Sequence, residues 1–140
     1  MGNYLYGNFK QSLLSQSPSV DLDTDTIKVA LVSNAYTPNT NAGTSGDQYY
    51  SSVSGVIGTP ATLASKTVTG GVFDAADVTF TSVTSTATVQ KLVLYKDTGT
   101  ASNSPLIAVI DSATSGLPVT PNGGDITISW DNGANKIFAL

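Results

Sequence analysis

The sequence predicts an all-β fold, a β-sandwich or jelly roll of about seven to eight short strands with a short N-terminal helix. Three observations lead to this prediction. Apolar residues fall in short runs, several of which alternate with polar residues. Threonine, a β-branched residue that suits a half-exposed strand, occurs 19 times among 140 residues, beside 17 serines. Turn-forming residues separate the runs, at 37–38, 58–60, 70–71, 97–99, 116–118 and 121–124.

Residues 1–25 are predicted to form an N-terminal helix or arm, and residues 26–140 a single β-sandwich domain. Within residues 4–15, Tyr6, Phe9 and Leu13 follow the i, i+3, i+7 spacing of an amphipathic helix. Pro18 ends this helix because proline cannot continue it. A second short helical turn is predicted over 47–53, with Asp47 as its N-cap.

The other apolar runs are predicted strands, at 27–32, 63–69, 77–81, 88–96, 106–111, 126–131 and 137–140. The first has one face predicted to be wetter, formed by Lys28, Ala30 and Val32. The runs 88–96 and 106–111 are apolar on both faces, which is typical of a central strand covered on both sides. We expect the last two strands to pair through a turn at Asn132-Gly133, and Trp130 to lie in the core.

The charged residues restrict the chemistry. All 10 acidic residues are Asp, all 6 basic residues are Lys, and the chain has no Glu, Arg, His or Cys. Histidine-based catalysis, thiol nucleophiles, His- or Cys-bound metals and disulfides are therefore excluded. The net charge of −4 argues against nucleic acid or an anionic membrane as a partner. We expect no catalytic residues, no cofactor and no metal. We also expect no signal peptide, because the first residues lack a basic stretch followed by an apolar core, and no membrane span, because no apolar run approaches ~20 residues.

Two features are weighed as sites and set aside. The acidic run at Asp21, Asp23 and Asp25 begins like an EF-hand loop, but the required sixth-position Gly and twelfth-position Glu are absent. Lys91 interrupts a predicted strand, and we expect its stem to cover apolar neighbours while its ammonium stays hydrated. Asp97, Asp111 and Asp131 border turn-rich segments, where such side chains accept hydrogen bonds from nearby backbone N–H groups.

Aromatic residues supply the candidate partner interface, because tyrosine buries a large amphipathic ring at low entropic cost. The candidates are Tyr4, Tyr6, Phe9, Tyr49 and Tyr50. Core packing is the alternative interpretation, especially for Tyr6 and Phe9, which can dock the N-terminal helix onto the domain.

Several runs resemble small virion proteins of tailed bacteriophages. They are IKVALV at 27–32, VFDAADVTF at 72–80, KDTG at 96–99, PLIA at 105–108, DSATSGLPVTPNGGDITI at 111–128 and WDNG at 130–133. The resemblance covers residues 26–140, and the first 25 residues match less well. It implies a capsid cement, or decoration, protein: a β-sandwich or jelly-roll subunit that is made in the bacterial host cytoplasm and binds the outer surface of the virion capsid. The implied partners are the major capsid protein and further copies of the chain, in a dimer or trimer.

Three alternatives remain open. A phage tail or fibre component has the same lack of catalytic residues. A carbohydrate-binding β-sandwich module is suggested by Tyr, Asn and Asp in loops. An Asp-based glycosidase requires two carboxylates ~5–9.5 Å apart in a cleft.

Overall fold

The computed structural model describes residues 3–111 and 117–140. Residues 112–116, which include part of the DSATSG run and the first residue of the turn expected at 116–118, lie outside the described residues. The described chain is mostly β with one short α-helix, so the all-β prediction is confirmed. The more specific sandwich or jelly-roll arrangement stays a prediction.

A five-stranded antiparallel sheet forms the centre of the fold. Its strands, in spatial order, are β1 (Tyr4–Leu5), β8 (Leu106–Ile110), β7 (Lys91–Lys96), β2 (Ile27–Val32) and β3 (Val56–Thr62). The three middle strands are buried on both faces, as the sequence predicts for β7 and β8. The expectation of a wetter face on β2 is wrong, because Ala30 and Val32 are buried and only Lys28 reaches solvent.

β3 is an edge strand that the sequence pattern did not indicate. It contains Gly58 and Pro60, residues that usually interrupt a strand. An edge tolerates them because one side of the strand needs no ladder hydrogen bonds. The register between β2 and β3 shifts between Val29 and Leu31, which accommodates the irregular sequence.

Two smaller antiparallel sheets complete the described fold. One has the order β10 (Phe138–Ala139), β5 (Val72–Asp74), β4 (Thr67–Thr69), and the other pairs β6 (Val78–Phe80) with β9 (Ile126–Ile128). Gly70 and Gly71, both at positive φ, make the tight turn between β4 and β5. Of the predicted strand 63–69, only its last three residues are β.

The predicted pairing of the two last strands is wrong. β10 pairs with β5, placing Phe138 opposite Phe73. The ring centroids of these two residues are 5.5 Å apart, and Phe9 contacts Phe138 edge-on at 6.1 Å. Burial of these three rings together accounts for the choice of partner, because aromatic pairs stabilise a structure beyond their buried area.

The N-terminal helix, α1, spans Gly7–Ser15. It begins later than predicted because Tyr4–Leu5 pairs with β8 as strand β1. Tyr6 continues this link, since its N–H donates to the Ile107 carbonyl at 3.0 Å. Strand β1 and the buried side chains of Tyr6 and Phe9 attach the N-terminal segment to the core, whereas residues 13–25 are exposed or half-buried.

The turn predicted over 47–53 exists as a 3₁₀-helix at Tyr50–Ser52. Asp47 is not its cap, because Tyr49 precedes the helix. The Asp47 carboxylate instead accepts hydrogen bonds from the Tyr36 hydroxyl at 2.6 Å and the Asn39 N–H at 3.0 Å. Two further 3₁₀-helices lie at Gly43–Ser45 and Ala101–Asn103.

Candidate interaction surface

Two of the five aromatic interface candidates belong to the core. Tyr6 is 0% exposed and Phe9 is 1% exposed. A partner cannot reach either ring in this fold, so the interface interpretation is wrong for both and core packing is confirmed. The apolar helical spacing that made them conspicuous reflects the docking of α1 onto the sheets.

Tyr6 also begins a buried chain of hydrogen bonds. Its hydroxyl lies 2.9 Å from the Tyr36 hydroxyl, which donates to the Asp47 carboxylate. Because Tyr36 has one hydroxyl proton and gives it to Asp47, Tyr6 must be the donor to Tyr36. Burial, and for Tyr36 the hydrogen bond with Asp47, raise the pKa of both tyrosines well above the ordinary value of 10.0. Both stay neutral at physiological pH and hold the 36–47 loop against the core.

Tyr49 and Tyr50 lie elsewhere, where the 50–52 turn meets the central sheet. The Tyr50 ring stacks on the Tyr95 ring, with centroids 3.9 Å apart and planes 9° from parallel. Tyr49 forms an isolated β-bridge with Pro105. Both tyrosines are half-buried, and burial raises the pKa of Tyr50 and of Tyr95. Since one face of Tyr50 is covered by Tyr95, this pair contributes more to packing than to a free binding surface.

Tyr4 remains exposed at the edge of the five-stranded sheet. It is 50% exposed and lines a shallow pocket of 170 Å³ with Phe138 and Ala139. The five candidates are thus distributed over the core, the Tyr50–Tyr95 stack and this sheet edge. They do not form one interface.

The structure contains an apolar groove that the aromatic pattern did not reveal. It is bounded by α1, the 19–23 segment, β4 and residue 140, and has a volume of 480 Å³. Five apolar residues line it: Leu13, Val20, Leu22, Val68 and Leu140. Asp21 and Asp23, both exposed, line the same groove.

Exposed apolar side chains concentrate at this groove. Among the residues that the structure describes, the exposed large hydrophobic side chains are Tyr4, Leu13, Leu14, Val68 and Leu140. Three of these line the groove, and Leu14, at 87% exposed, follows Leu13 on the helix. The pair Leu13-Leu14 near the end of α1 was the available sequence signal for an exposed apolar surface.

Asp21 and Asp23 both lie at the rim of the groove. The neighbouring Asp21 side chain raises the pKa of Asp23, and interactions with the Asp23 and Thr24 side chains lower the pKa of Asp21. Asp25, the third acid of the run, accepts the Asp21 N–H at 2.8 Å and forms a 3.0 Å ion pair with Lys96. The groove therefore combines apolar walls with two exposed carboxylates, those of Asp21 and Asp23.

Lys91 departs from its expected hydrated state. It is 7% exposed, and its Nζ donates to the Ser33 carbonyl at 3.4 Å, the Asn34 Oδ1 at 3.2 Å and the Tyr36 carbonyl at 3.1 Å. Burial lowers the pKa of this ammonium, and the charge of Asp111 opposes that shift. All three protons of the ammonium have acceptors, so Lys91 fastens the loop that follows β2 to the start of β7 and offers no free donor.

Several aspartates accept backbone hydrogen bonds, as expected near turns. Asp97 accepts the Gly99 N–H at 3.0 Å, and Asp131 accepts the Gly133 N–H at 3.1 Å. Asp77 has a longer-range role, because it accepts the Trp130 N–H at 3.0 Å and thereby helps to seat the buried indole. Trp130 is 4% exposed, which confirms its predicted core position.

Within residues 3–111 and 117–140, no group of three or more potential acidic ligands is arranged to hold a metal ion. The one α-helix of that part of the chain is too short and too polar to cross a membrane. No protein-family model matches the sequence, and no curated protein is significantly similar to it.

Proposed function

We propose that this chain is a non-enzymatic structural protein of a tailed bacteriophage. It binds the outer capsid surface as a cement protein and stabilises the shell by bridging major capsid proteins. The proposal follows from the resemblance of residues 26–140 to small virion proteins and from a side-chain inventory without His, Cys, Glu or Arg. Its dimeric or trimeric state on the shell is part of the same proposal.

The apolar groove is the single observation in the structure that carries this proposal. Contiguous exposed apolar surface rimmed by polar groups is characteristic of sites of protein–protein contact. Here Leu13, Val68 and Leu140 present such a surface although the chain has an otherwise well-buried core. A protein that works by surface contact needs this feature and needs no reactive group.

The requirements of a repetitive shell fit a small, firmly packed subunit. Each copy can bind weakly, because simultaneous contacts to several capsid subunits multiply the effective affinity. A firm core keeps the contact surface in one geometry and so lowers the entropic cost of each contact. The central strands β2, β7 and β8, buried on both faces, supply that firmness.

The proposal is tested by the copy number and position of the chain in purified virions. Quantitative mass spectrometry should give a copy number comparable to that of the major capsid protein, within a small integer ratio. Cryo-electron microscopy should show density of this fold on the outside of the shell. A few to some tens of copies, located on the tail, would instead support the tail or fibre alternative.

A separate measurement addresses carbohydrate binding. Glycan-array binding by the purified chain that is lost in Tyr49→Ala or Tyr50→Ala would favour a carbohydrate-binding module. Blank arrays combined with shell-bound protein would support the cement function.

A further inference from the structure

The geometry points to the apolar groove as the docking site for a partner segment that presents an apolar side chain next to a lysine or arginine. This inference rests on the proposed function, since the segment belongs to the capsid protein on which the chain docks. It goes further by naming the contact surface and the chemistry of the partner.

The shape and lining of the groove indicate an inserted side chain. A volume of 480 Å³ is large enough for a bulky aliphatic or aromatic side chain with part of its backbone. The walls come from a helix (Leu13), the edge strand β4 (Val68) and the far end of the chain (Leu140), so they form a cleft between separate elements. An apolar side chain placed there removes apolar surface on both partners from water.

The charge at the rim selects what accompanies that side chain. Asp21 and Asp23 both line the groove, and both are exposed. A lysine or arginine on the partner is attracted by both carboxylates, whereas an acidic partner is repelled. The groove thus favours a basic apolar segment over a neutral or acidic one.

The same charge argues against a second copy of this chain as the occupant. Each copy has a net charge of −4, and a two-fold contact would bring the acidic rim of one groove towards that of the other. Three of its six lysines are already committed: Lys28 pairs with Asp97, Lys96 pairs with Asp25, and Lys91 is buried. The remaining lysines are Lys10, Lys66 and Lys136, and the charge of Lys66 already acts on Asp23. A separate basic protein is therefore the better source of the complementary charge.

Two double variants separate the apolar and the electrostatic parts of the contact. Leu13→Gln with Val68→Thr makes the walls polar at positions that are 36% and 45% exposed, with residue types that suit a helix and a strand. Asp21→Asn with Asp23→Asn removes the charge at nearly constant volume. The matched control, Asp125→Asn with Asp131→Asn, makes the same change in net charge outside the groove.

The experiment uses capsid shells of the phage that have been prepared without this protein. Binding of each purified variant to these shells is measured by co-sedimentation at low and high salt. We expect the wall variant to bind at least about tenfold more weakly. The Asp21/Asp23 variant should bind several-fold more weakly at low salt, with a reduced salt dependence, while the Asp125/Asp131 control binds like the wild type. Trp130 fluorescence during urea unfolding shows that each variant is folded.

The other outcomes are distinct. Wild-type binding that neither groove variant weakens would overturn the groove inference and leave the cement function standing. No binding by the wild type would overturn the cement function and the inference with it. Analytical ultracentrifugation shows whether a second copy occupies the groove. If the wild type is a dimer and the Leu13→Gln/Val68→Thr variant is a monomer, the occupant is a second copy, and the inference of a basic capsid segment is refuted.

Discussion

The hydrogen-bonded chain from Tyr6 through Tyr36 to Asp47 makes a quantitative prediction about stability. Removing the Tyr36 hydroxyl, in Tyr36→Phe, breaks both of its bonds at once. It also leaves the Tyr6 hydroxyl without its acceptor inside a core where Tyr6 is 0% exposed. Tyr6→Phe removes the same Tyr6–Tyr36 bond but leaves Tyr36 donating to Asp47. Each substitution deletes one tyrosine hydroxyl, and the two differ only in the position of that hydroxyl in the series of hydrogen bonds.

The expected magnitudes follow from this difference. A hydrogen bond to a charged group contributes about 1.5–3 kcal/mol, and a buried polar group left unsatisfied costs about 1–3 kcal/mol. Asp47 keeps the Asn39 N–H and partial access to water, which reduces the first contribution. We therefore expect Tyr36→Phe to lower the free energy of unfolding by about 2–4 kcal/mol. Tyr6→Phe loses one neutral hydrogen bond, about 1 kcal/mol.

The double variant provides the sharper test. In the Tyr36→Phe background, Tyr6→Phe removes a hydroxyl that has already lost its partner. The double variant should therefore be at least as stable as Tyr36→Phe alone, and the two effects should not add. Urea unfolding followed by Trp130 fluorescence measures all four proteins. Two results would refute the order of donors from Tyr6 through Tyr36 to Asp47. One is an equal loss of unfolding free energy in the two single variants, and the other is a loss in the double variant equal to the sum of the two.

Three further predictions concern single groups. Lys28, whose Nζ lies 2.9 Å from the Asp97 carboxylate, and the Gly99 N–H hold the pKa of Asp97 below 3.8. The contribution of ionised Asp97 to the free energy of unfolding is therefore full above about pH 4 and is lost as pH falls through the lowered pKa. Asp97→Asn should flatten the loss of stability below about pH 4 at low salt. Identical pH profiles would contradict this. Lys91, despite its lowered pKa, should react with an amine acylating reagent more slowly than exposed Lys10 in the folded chain, because its burial keeps the reagent away from the amine. In urea the two lysines should react equally. Peptide mass spectrometry measures the extent of acylation at each site. Trp130 should emit at short wavelength and resist acrylamide quenching until the chain unfolds; strong quenching of the native state would place it outside the core.

The predictable parts of the fold are those in which local sequence and tertiary environment agree. β8 and the inner residues of β7 are apolar, which suits a strand covered on both faces, and the structure places both strands in the middle of the central sheet. α1 is found because Phe9 and Leu13 have helical spacing, although its first predicted residues are recruited as strand β1 by the free edge of β8. Such recruitment depends on residues more than 100 positions away and leaves no local signal.

The pairing of β10 and the existence of β3 could not be predicted for the same reason. Asn132-Gly133 is a strong hairpin signal, but the burial of Phe138 beside Phe73 and Phe9 outweighs it. β3 contains Gly58 and Pro60 and becomes a strand only because β2 offers it an edge.

The candidate surface was only partly predictable. Aromatic side chains were reasonable candidates by residue type, but Tyr6 and Phe9 fill the core. The apolar groove combines side chains from positions 13, 68 and 140, so only the folded chain brings them together. The pair Leu13-Leu14 was its one local indication.

The order of strands in the central sheet has a consequence for how the chain is synthesised. β2 and β3 are complete once residue 62 has been added. The other neighbour of β2 is β7, and β7 in turn pairs with β8, which ends at residue 110. At about 5–20 residues per second, elongation from residue 62 to 110 takes roughly 2–10 s. During that time an apolar hairpin has no sheet to join. The central sheet therefore cannot be completed until residue 110 has been added.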